Sequence, residues 1–323
     1  MYENKEMRAV MAEMMAEAME ADRNVVILDA DLARANGTLP LYDRFPDQCF
    51  DVGIAESNMA CVAAGLASYD YKPFIFTFTP FISRRMCDQV MLSIAYAGQN
   101  VKLVGTDPGI AAELNGGTHM ALEDIGVLRS IPGLVIYEPV DGAQLQKAMP
   151  VILAYEGPLY IRLFRKVPPA IWFERADYTF DLFKADTLRK GSDVTLFATG
   201  IEVTQAMMAA EILEKEGIGA EVINVHTIKP IDREGVVASA RRTGCAVTCE
   251  NHNILGGLGS AVAEVLSEEY PVPIGFIGAK DRFAEVGKMP YLLEAFEMDA
   301  ASIVKKAKTV IEKKCQLAGL AKI

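Results

Sequence analysis

The chain has few of the residues that build metal centres, disulfide frameworks or nucleic-acid surfaces. Its 323 residues include only three histidines and six cysteines, and no two cysteines have the CxxC spacing of a zinc or redox motif. The net charge is −11, and no stripe of Lys and Arg alternates with aromatic residues, whereas binding to a phosphate backbone needs a basic surface. We therefore expect reduced cysteines, most of them in the core, no metal site and no nucleic-acid partner.

Long hydrophobic runs are also missing. The first residues, Met1–Glu6, carry charges and lead directly into a helical pattern, without the apolar segment of a signal peptide. No apolar run approaches the ~20 residues that a membrane-spanning helix needs. We expect a soluble, cytoplasmic protein with no membrane partner.

The chain alternates short apolar segments with helical ones. This alternation indicates βαβ crossovers and a mostly parallel sheet with helices on both faces. The pattern breaks at Pro168-Pro169 and resumes with a second alternating set near Asp193. We predict an α/β fold with two consecutive parallel-sheet domains, residues 1–168 and 191–323, joined by a linker at 169–190.

One hexapeptide, Gly53-Ile54-Ala55-Glu56-Ser57-Asn58, puts a carboxylate at the turn from a strand into a nearly all-apolar helix. Taken alone, Glu56 has a second interpretation, as an acid at a helix start that satisfies free backbone N–H groups. The next segment holds phenylalanines at 74, 76, 78 and 81 and leads into a helix predicted over 83–97. Phe74 and Phe76 fit packing in the sheet and core.

Together these segments resemble the pyrimidine-binding domain of the transketolase family. In that family a Glu in a "GIAE" context bonds N1′ of the aminopyrimidine of thiamine diphosphate, and aromatic side chains of the next strand and turn stack on the ring. Glu56, Phe78 and Phe81 match those positions. The resemblance covers nearly the whole chain in order. It continues through Gly116-Gly117-Thr118-His119, Ala121-Leu122-Glu123-Asp124-Ile125, Val222-Ile223-Asn224-Val225, Lys229-Pro230-Ile231-Asp232 and Gly256-Gly257-Leu258-Gly259.

The resemblance implies that Glu56 is a catalytic residue as well as a cofactor ligand. A carboxyl group on N1′ favours the imino tautomer with which the cofactor deprotonates its own thiazolium C2, and apolar surroundings keep that group protonatable near neutral pH. Phe81 is the expected stacking ring with Phe78 beside it. Arg84, one helical turn beyond Phe81, is the fourth predicted cofactor contact and stands where transketolases often have Tyr.

The substrate half of the resemblance is less complete. His119 matches the family's histidine at the reacting end of the sugar and is predicted to be catalytic and substrate-binding. Arg8 and Arg165 match phosphate-gripping arginines, whose guanidinium forks suit an anion. The family's pattern is altered at three polar positions, so an ordinary pentose phosphate is not implied. Ala35 replaces a phosphate-binding Ser, Thr106 replaces a His, and Asn115 replaces the Asp that contacts a sugar hydroxyl.

The motif "GDG…N", through which transketolases hold the diphosphate and its metal, is absent, because the chain contains no Gly-Asp-Gly. The resemblance therefore implies the C-terminal subunit of a split transketolase. Its thiamine diphosphate site would be completed, with Mg²⁺, by a separate N-terminal subunit, most simply in an α2β2 assembly. Gly256–Gly259 lacks the full G-x-G-x-x-G spacing, so tight packing is expected there rather than nucleotide binding.

The expected reaction is transfer of a two-carbon ketol unit from a ketose, or ketose phosphate, to an aldose. Three alternatives stay open at this point: the β subunit of a 2-oxo acid dehydrogenase E1 component, half of a 1-deoxyxylulose-phosphate-synthase-like enzyme, and a non-catalytic scaffold subunit. The Gly-Gly-Thr-His and Ala-Leu-Glu-Asp-Ile segments favour transketolase. Retention of Glu56 argues against a scaffold, because burying a carboxylate that has neither function nor partner costs stability.

Overall fold

The structure, a computed structural model, describes residues 4–320. The first three and last three residues, at the outer ends of the two predicted domains, lie outside the described residues. Among those described, twelve strands form two sheets with helices on both faces, which confirms the predicted α/β fold. Within residues 4–320 no helix combines the length and the apolar character needed to cross a membrane.

The first sheet has seven strands in the order β10-β5-β6-β4-β3-β1-β2, and the second has five in the order β12-β11-β8-β9-β7. Most central strands are buried along their whole length, as expected where helices cover both faces. The strands are β1 Val25–Asp29, β2 Cys49–Asp51, β3 Lys72–Phe78, β4 Lys102–Thr106, β5 Val135–Tyr137, β6 Leu159–Leu163, β7 Asp186–Arg189, β8 Val194–Ala198, β9 Ala220–Asn224, β10 Thr227–Lys229, β11 Ala246–Asn253 and β12 Ile274–Ala279.

The helices of the crossovers begin in ways that the sequence explains. Asp141 accepts a hydrogen bond from the Gln144 amide at the start of one helix, and Asp232 accepts one from the Gly235 amide at the start of another. The α-helices are α1 Met7–Ala21, α2 Ala33–Asn36, α3 Leu39–Arg44, α4 Glu56–Ala67, α5 Cys87–Gln89, α6 Asp124–Leu128, α7 Gly142–Ala154, α8 Glu202–Lys215, α9 Arg233–Thr243, α10 Leu258–Glu269, α11 Met289–Ala295 and α12 Ala300–Leu320.

Two antiparallel edge strands were not predicted. β7 lies inside the predicted linker, 169–190, and pairs antiparallel with β9. β10 belongs to the second half of the chain but pairs antiparallel with β5 of the first sheet, where Thr227 faces Tyr137. The two sheets are therefore connected by more than the linker.

The helix predicted over 83–97 is irregular. The chain forms a π-helical turn at Phe81–Arg85, the short helix α5, and a second π-helical stretch at Val90–Tyr96. Single π-helical turns are common at functional sites because they change the direction in which side chains point. The first one lies immediately after β3.

The junction between the sheets contains a buried polar network around Arg162. Its guanidinium donates two hydrogen bonds to Asp124, at 2.8 and 3.2 Å, and one to Glu138 at 2.6 Å. It also donates to the backbone carbonyl of Asn251 in β11 at 2.6 Å. Because a buried charge is costly without partners, this arrangement depends on all of them being present.

Glu202, the first residue of α8, lies in the same junction without such a partner. Among residues 4–320, no group forms a hydrogen bond with either of its buried side-chain oxygens. Burial, followed by the nearby Glu138, Asp299 and Glu250 carboxylates, raises the pKa of Glu202 well above its usual range. The protonated form of Glu202 is therefore favoured in the folded chain over the unfolded one.

We expect Glu202→Gln to stabilise the chain increasingly as the pH rises from 5 to 8. The unfolded Glu202 loses its proton above about pH 4.3, whereas the raised pKa of the folded group holds the proton to higher pH, so the wild type loses stability with rising pH and the neutral amide does not. Urea unfolding at several pH values measures the difference. Glu211→Gln, an exposed change on the same helix, is the control, and a pH-independent difference would contradict the expectation.

All six cysteines are free. Only Cys49, Cys245 and Cys249 are buried, while Cys61 and Cys315 are exposed and Cys87 is half-buried. The expectation that most of them lie in the core is therefore wrong for half of the set. Cys61 and Cys87 lie on helices that border the site described next.

Candidate active site

A cleft with a volume of about 200 Å³ opens at the carboxyl ends of β1 and β3. This is the edge at which open parallel sheets usually bind ligands. The residues that line the cleft come from three segments: the loop after β1, the start of α4, and the π-helical turn after β3. They are Ala30, Asp31, Leu32, Ile54, Glu56, Phe81 and Arg85.

Glu56 is the first residue of α4 and is only 5% exposed. Its Oε1 accepts a hydrogen bond from Nη1 of Arg85 at 2.7 Å. The Arg85 guanidinium also lies over the Phe81 ring, 3.7 Å from its centroid. Arg85 was not predicted from the sequence to take part in the site.

Arg85 shows what kind of group the space between Glu56 and Phe81 accommodates, because its guanidinium resembles a planar nitrogen-containing ring. A guanidinium is flat, carries N–H groups on its edge and stacks on aromatic faces. It occupies the space between the Glu56 carboxyl group and the Phe81 face, which are the two contacts that the aminopyrimidine of thiamine diphosphate would need. Half of the Arg85 side chain is exposed, so the space that it fills is open to solvent on one side. The residues present fit the cofactor's pyrimidine end.

An aromatic cluster borders the cleft. Phe78, at the end of β3, and Phe81 have ring centroids 5.9 Å apart, and His119 packs edge-on against them at 5.7 and 5.4 Å. His119 Nδ1 lies 2.8 Å from the Thr118 hydroxyl. The structure thus brings together four of the residues singled out in the sequence, Glu56, Phe78, Phe81 and His119.

Two further predicted residues, Arg8 and Arg165, converge on one backbone atom. Arg8 Nη1 and Arg165 Nη1 both donate to the carbonyl oxygen of Ala35, at 3.1 and 3.2 Å. Each arginine has its own carboxylate partner, Glu6 for Arg8 at 2.7 Å and the buried Asp107 for Arg165. Arg165 also lies over the Phe78 ring at 5.1 Å, which connects this pair to the aromatic cluster.

Thr106 does not face the cleft. It is completely buried, and its hydroxyl donates to the Asn36 side chain at 2.9 Å. Asn36 in turn donates to Asp29 at 2.8 Å. Burial raises the pKa of Asp29 to about 6, against the lowering effect of hydrogen bonds from Asn36, Thr38 and Tyr42. The position that carries a His in the family is therefore part of an internal network here.

Asn115 lies within the segment 107–123, which we call the His119 loop, and Arg84 lies against that segment. Asn115 is exposed at the end of a 3₁₀ helix, Gly109–Asn115. Arg84 donates to the Thr118 carbonyl at 3.1 Å and pairs with Glu123 at 3.1 Å. It lines a separate cavity of about 350 Å³ between the two sheets, whereas Arg85 reaches Glu56.

The space beside the glycine-rich segment Gly256–Gly259, at the start of α10, is occupied by the Glu250 side chain. The amides of Leu258 and Gly259 donate to the Glu250 carboxyl group at 2.6 and 2.8 Å. A Cβ at Gly257 would lie 2.0 Å from a Glu250 oxygen. Burial raises the pKa of Glu250 to about 7 despite these donors. The amides that would hold a phosphate are already engaged.

Comparison with known proteins agrees with the fold. Residues 3–169 match the family model of the transketolase pyrimidine-binding domain, and residues 183–303 match that of the transketolase C-terminal domain. The chain belongs to the transketolase family. Within residues 4–320 no group of three or more His, Cys, Asp or Glu side chains is arranged to hold a metal ion.

Several similar proteins are subunits of split enzymes. The chain is 52% identical over 308 residues to the 6-deoxy-6-sulfo-D-fructose transketolase subunit SqwH of Clostridium sp. strain MSTE9, with 95% of each chain covered. It is 36% identical to one of the subunits of the apulose-4-phosphate transketolase of Phocaeicola vulgatus, over 92% of this chain and 95% of that one. A solved split-gene transketolase, described as an inactive β4 tetramer, superposes with a TM-score of 0.86 at 38% identity, covering 96% and 99% of the two chains.

Proposed function

We propose that this chain is the C-terminal subunit of a thiamine diphosphate-dependent transketolase that transfers a two-carbon ketol unit from a ketose to an aldose. The observation that carries the proposal is the buried Glu56 carboxyl group, which faces the Phe81 ring across a space that holds a flat guanidinium. The cofactor supplies the nucleophilic carbon. Glu56 holds a proton at N1′, Phe81 and Phe78 support the ring, and His119 contacts the reacting end of the sugar.

The site needs a second polypeptide in this proposal. A hydrophobic surface beside the cleft supports it, formed by Ile54, Val62, Met91, Leu92 and Tyr96, of which Ile54 is 75% and Tyr96 88% exposed. Exposed apolar patches of this kind are typical of protein interfaces. We assign the diphosphate and Mg²⁺ contacts to an N-terminal subunit in an α2β2 assembly, and we place this assembly in the cytoplasm.

The ketose donor is proposed to carry a sulfonate, as in the name of the 52% identical relative. The anion-binding arginines support this through their charges. Arg8 and Arg165 bring two positive charges, while Glu6 and Asp107 bring two negative ones, so the group has little net charge. A phosphate monoester carries about −1.5 to −2 at neutral pH, whereas a sulfonate carries a single negative charge. A nearly neutral pair of guanidinium groups favours the monoanion.

The missing hydrogen-bond donors point the same way. Ala35 offers no hydroxyl where the family has Ser, and the Thr106 hydroxyl is used by Asn36. Phosphate oxygens are strong acceptors that benefit from extra donors. A site with two guanidinium groups and few other donors leaves some oxygens of the anion without a hydrogen bond. This costs less binding free energy when the anion is a weaker acceptor, such as a sulfonate.

The test is a donor comparison in the reconstituted complex. The chain is combined with an N-terminal subunit, thiamine diphosphate and Mg²⁺, and kcat/KM is measured for 6-deoxy-6-sulfo-D-fructose and fructose 6-phosphate with one aldose acceptor. We expect the sulfonated donor to be preferred. Equal or reversed preference would contradict the sulfonate assignment, and the absence of ketol transfer from either donor would contradict the proposed reaction.

We expect Ala35→Ser to move the ratio of kcat/KM values toward fructose 6-phosphate by about tenfold, because a hydrogen bond to a charged group is commonly worth about 1.5–3 kcal/mol and the dianion gains more from it. The affinity for thiamine diphosphate is the internal control and should not change, since Ala35 lies at the arginine pair rather than in the Glu56 cleft. An unchanged ratio would mean that Ala35 does not face the anion.

The alternatives with other reactions are less well supported by the comparisons. The 1-deoxy-D-xylulose-5-phosphate synthases that the chain resembles are 33–35% identical, and the chain spans about half of their length. The split transketolase subunit at 52% identity is covered almost completely. Similarity over the whole length of a separate subunit favours the two-chain transketolase.

A further inference from the structure

The His119 loop is held in place by the second half of the chain. It begins after Thr106, the last residue of β4, ends at the start of α6, and carries both Asn115 and His119. Its first residue, Asp107, bonds to Leu163 at the end of β6, and at three further points the loop contacts residues beyond 246. The first of these contacts is the most specific.

Asn251, a buried residue of β11, binds the start of the loop with both ends of its carboxamide. Its Oδ1 accepts from the Ile110 amide at 2.9 Å, and its Nδ2 donates to the Pro108 carbonyl at 2.9 Å. Its own backbone carbonyl accepts from Arg162 at 2.6 Å. Asn251 is thus fixed by the first sheet while it fixes the loop.

The backbone of the loop is shaped around this side chain. Gly109 has φ +52°, and a Cβ there would lie 2.2 Å from Asn251 Oδ1. A side chain at 109 would therefore need both a strained conformation and the space that Asn251 occupies. The absence of a side chain at 109 lets the amide of Ile110 reach the carboxamide.

Two further contacts continue along the loop. Glu113, also at positive φ, accepts from the Met289 amide at 3.0 Å and pairs with Lys166 at 2.6 Å. Near the end of the loop, the Asn253 amide donates to the Leu122 carbonyl at 2.7 Å. The two segments that contain Asn115 and His119 lie between these anchors, so their position depends on the second sheet and its loops.

We propose that Asn251 is a positioning residue that sets the place of His119 and Asn115 in the site through the Ile110 amide and the Pro108 carbonyl. This inference rests on the proposed function only for its kinetic consequence. The Asn251 side chain is buried and both ends of its carboxamide are bonded to the loop, so it is not available to substrate or cofactor. Its effect on the reaction would pass entirely through the His119 loop, while Glu56 and Phe81 lie on segments that it does not contact.

Hydrogen–deuterium exchange of the full chain tests whether Asn251 holds the His119 loop in place. In Asn251→Ala, we expect the amides of 109–120 to exchange about tenfold faster or more, because two buried hydrogen bonds are lost. Gly109→Ala disturbs the same contact by a change in the loop instead of in Asn251, and it should speed exchange equally. If one of the two variants fails to fold, the other still tests the contact. Glu264→Gln is the control, since it removes a separate ion pair across the same junction, with Arg129, without touching the loop.

Steady-state kinetics of the complex test whether the position of the loop affects the reaction. Asn251→Ala should lower kcat/KM for the donor by about 10–100-fold, because a displaced loop misplaces two substrate contacts. The donor KM should rise at least about fivefold, whereas the affinity for thiamine diphosphate stays within about twofold. A variant that merely loses folded protein lowers kcat and leaves KM unchanged.

Each outcome is decisive. If the amides of 109–120 exchange at the wild-type rate in Asn251→Ala, or exchange equally faster in Glu264→Gln, then Asn251 does not hold the loop. Faster exchange with kcat/KM and KM within threefold of wild type overturns the positioning role. If the affinity for thiamine diphosphate falls as much as the affinity for the donor, the substitution disturbs the whole site, and the positioning role is again overturned. If the wild-type complex transfers no ketol unit, the proposed function fails, while the exchange experiment, which needs neither cofactor nor substrate, still decides whether Asn251 holds the loop.

Discussion

Glu56→Gln lowers kcat of the reconstituted complex by about 10²–10⁴-fold in our expectation, the range for a lost acid–base group. An amide of the same size keeps the hydrogen bond to Arg85 and fills the same space, but it has no exchangeable carboxyl proton to hold at N1′. The protein should fold normally, because the amide has nearly the same volume and its partner Arg85 is half exposed. Steady-state turnover with the best donor, together with circular dichroism, measures both expectations.

Asp31→Asn is the matched control for Glu56→Gln. Asp31 is the other carboxylate that lines the cleft, it is exposed, and its positive φ of 57° is a conformation that Asn tolerates well. We expect its kcat to stay within a few-fold of wild type. Equal losses in the two variants would show a general effect of charge in the cleft, and full activity of Glu56→Gln would remove Glu56 from catalysis.

Omitting the N-terminal subunit should have the other large effect. We expect this chain alone to show no ketol transfer above background and no tight binding of thiamine diphosphate. In the proposed function the Glu56 cleft holds only the pyrimidine end of the cofactor, and within residues 4–320 no group of three or more His, Cys, Asp or Glu side chains is arranged to hold the metal of the diphosphate. Adding the second subunit should restore both properties.

Isothermal titration calorimetry with thiamine diphosphate and Mg²⁺ measures this dependence. The chain with its partner should bind the cofactor in a magnesium-dependent manner, and the chain alone should show no such signal at the same concentrations. Glu56→Gln with the partner is a useful second sample, since it should still assemble. Micromolar, magnesium-dependent binding by the isolated chain would refute the division of the site between two polypeptides.

The positions of Glu56, Phe78 and Phe81 in their elements could be predicted because each motif is short and local. Glu56 begins α4 and Phe78 ends β3, as their positions in the sequence indicate. Arg85 was missed for a geometric reason. A residue three positions after Phe81 follows it by about one turn in an α-helix, which favoured Arg84. Because the turn at Phe81–Arg85 is π-helical and therefore wider, the fourth residue, Arg85, lies over the ring instead.

The parts of the fold that could not be predicted are those with little hydrophobic periodicity. β7 has four residues, none of them fully buried, so its composition resembles that of a linker. β10 has three residues, and its pairing with β5 joins segments about ninety positions apart in the chain. Asn251 likewise gives no local signal, because its importance depends on Pro108 and Ile110, which approach it only after folding.

The strand β10 couples the two halves of the molecule through a shared sheet. Because it completes the edge of the first sheet from the far side of the connection, a peptide-bond cleavage between 169 and 185 would leave two fragments that share one sheet. Removing the second fragment would uncover the unpaired backbone of β5, an edge that invites pairing with other chains. We therefore expect a chain cut in this segment to stay together for as long as the first sheet remains folded.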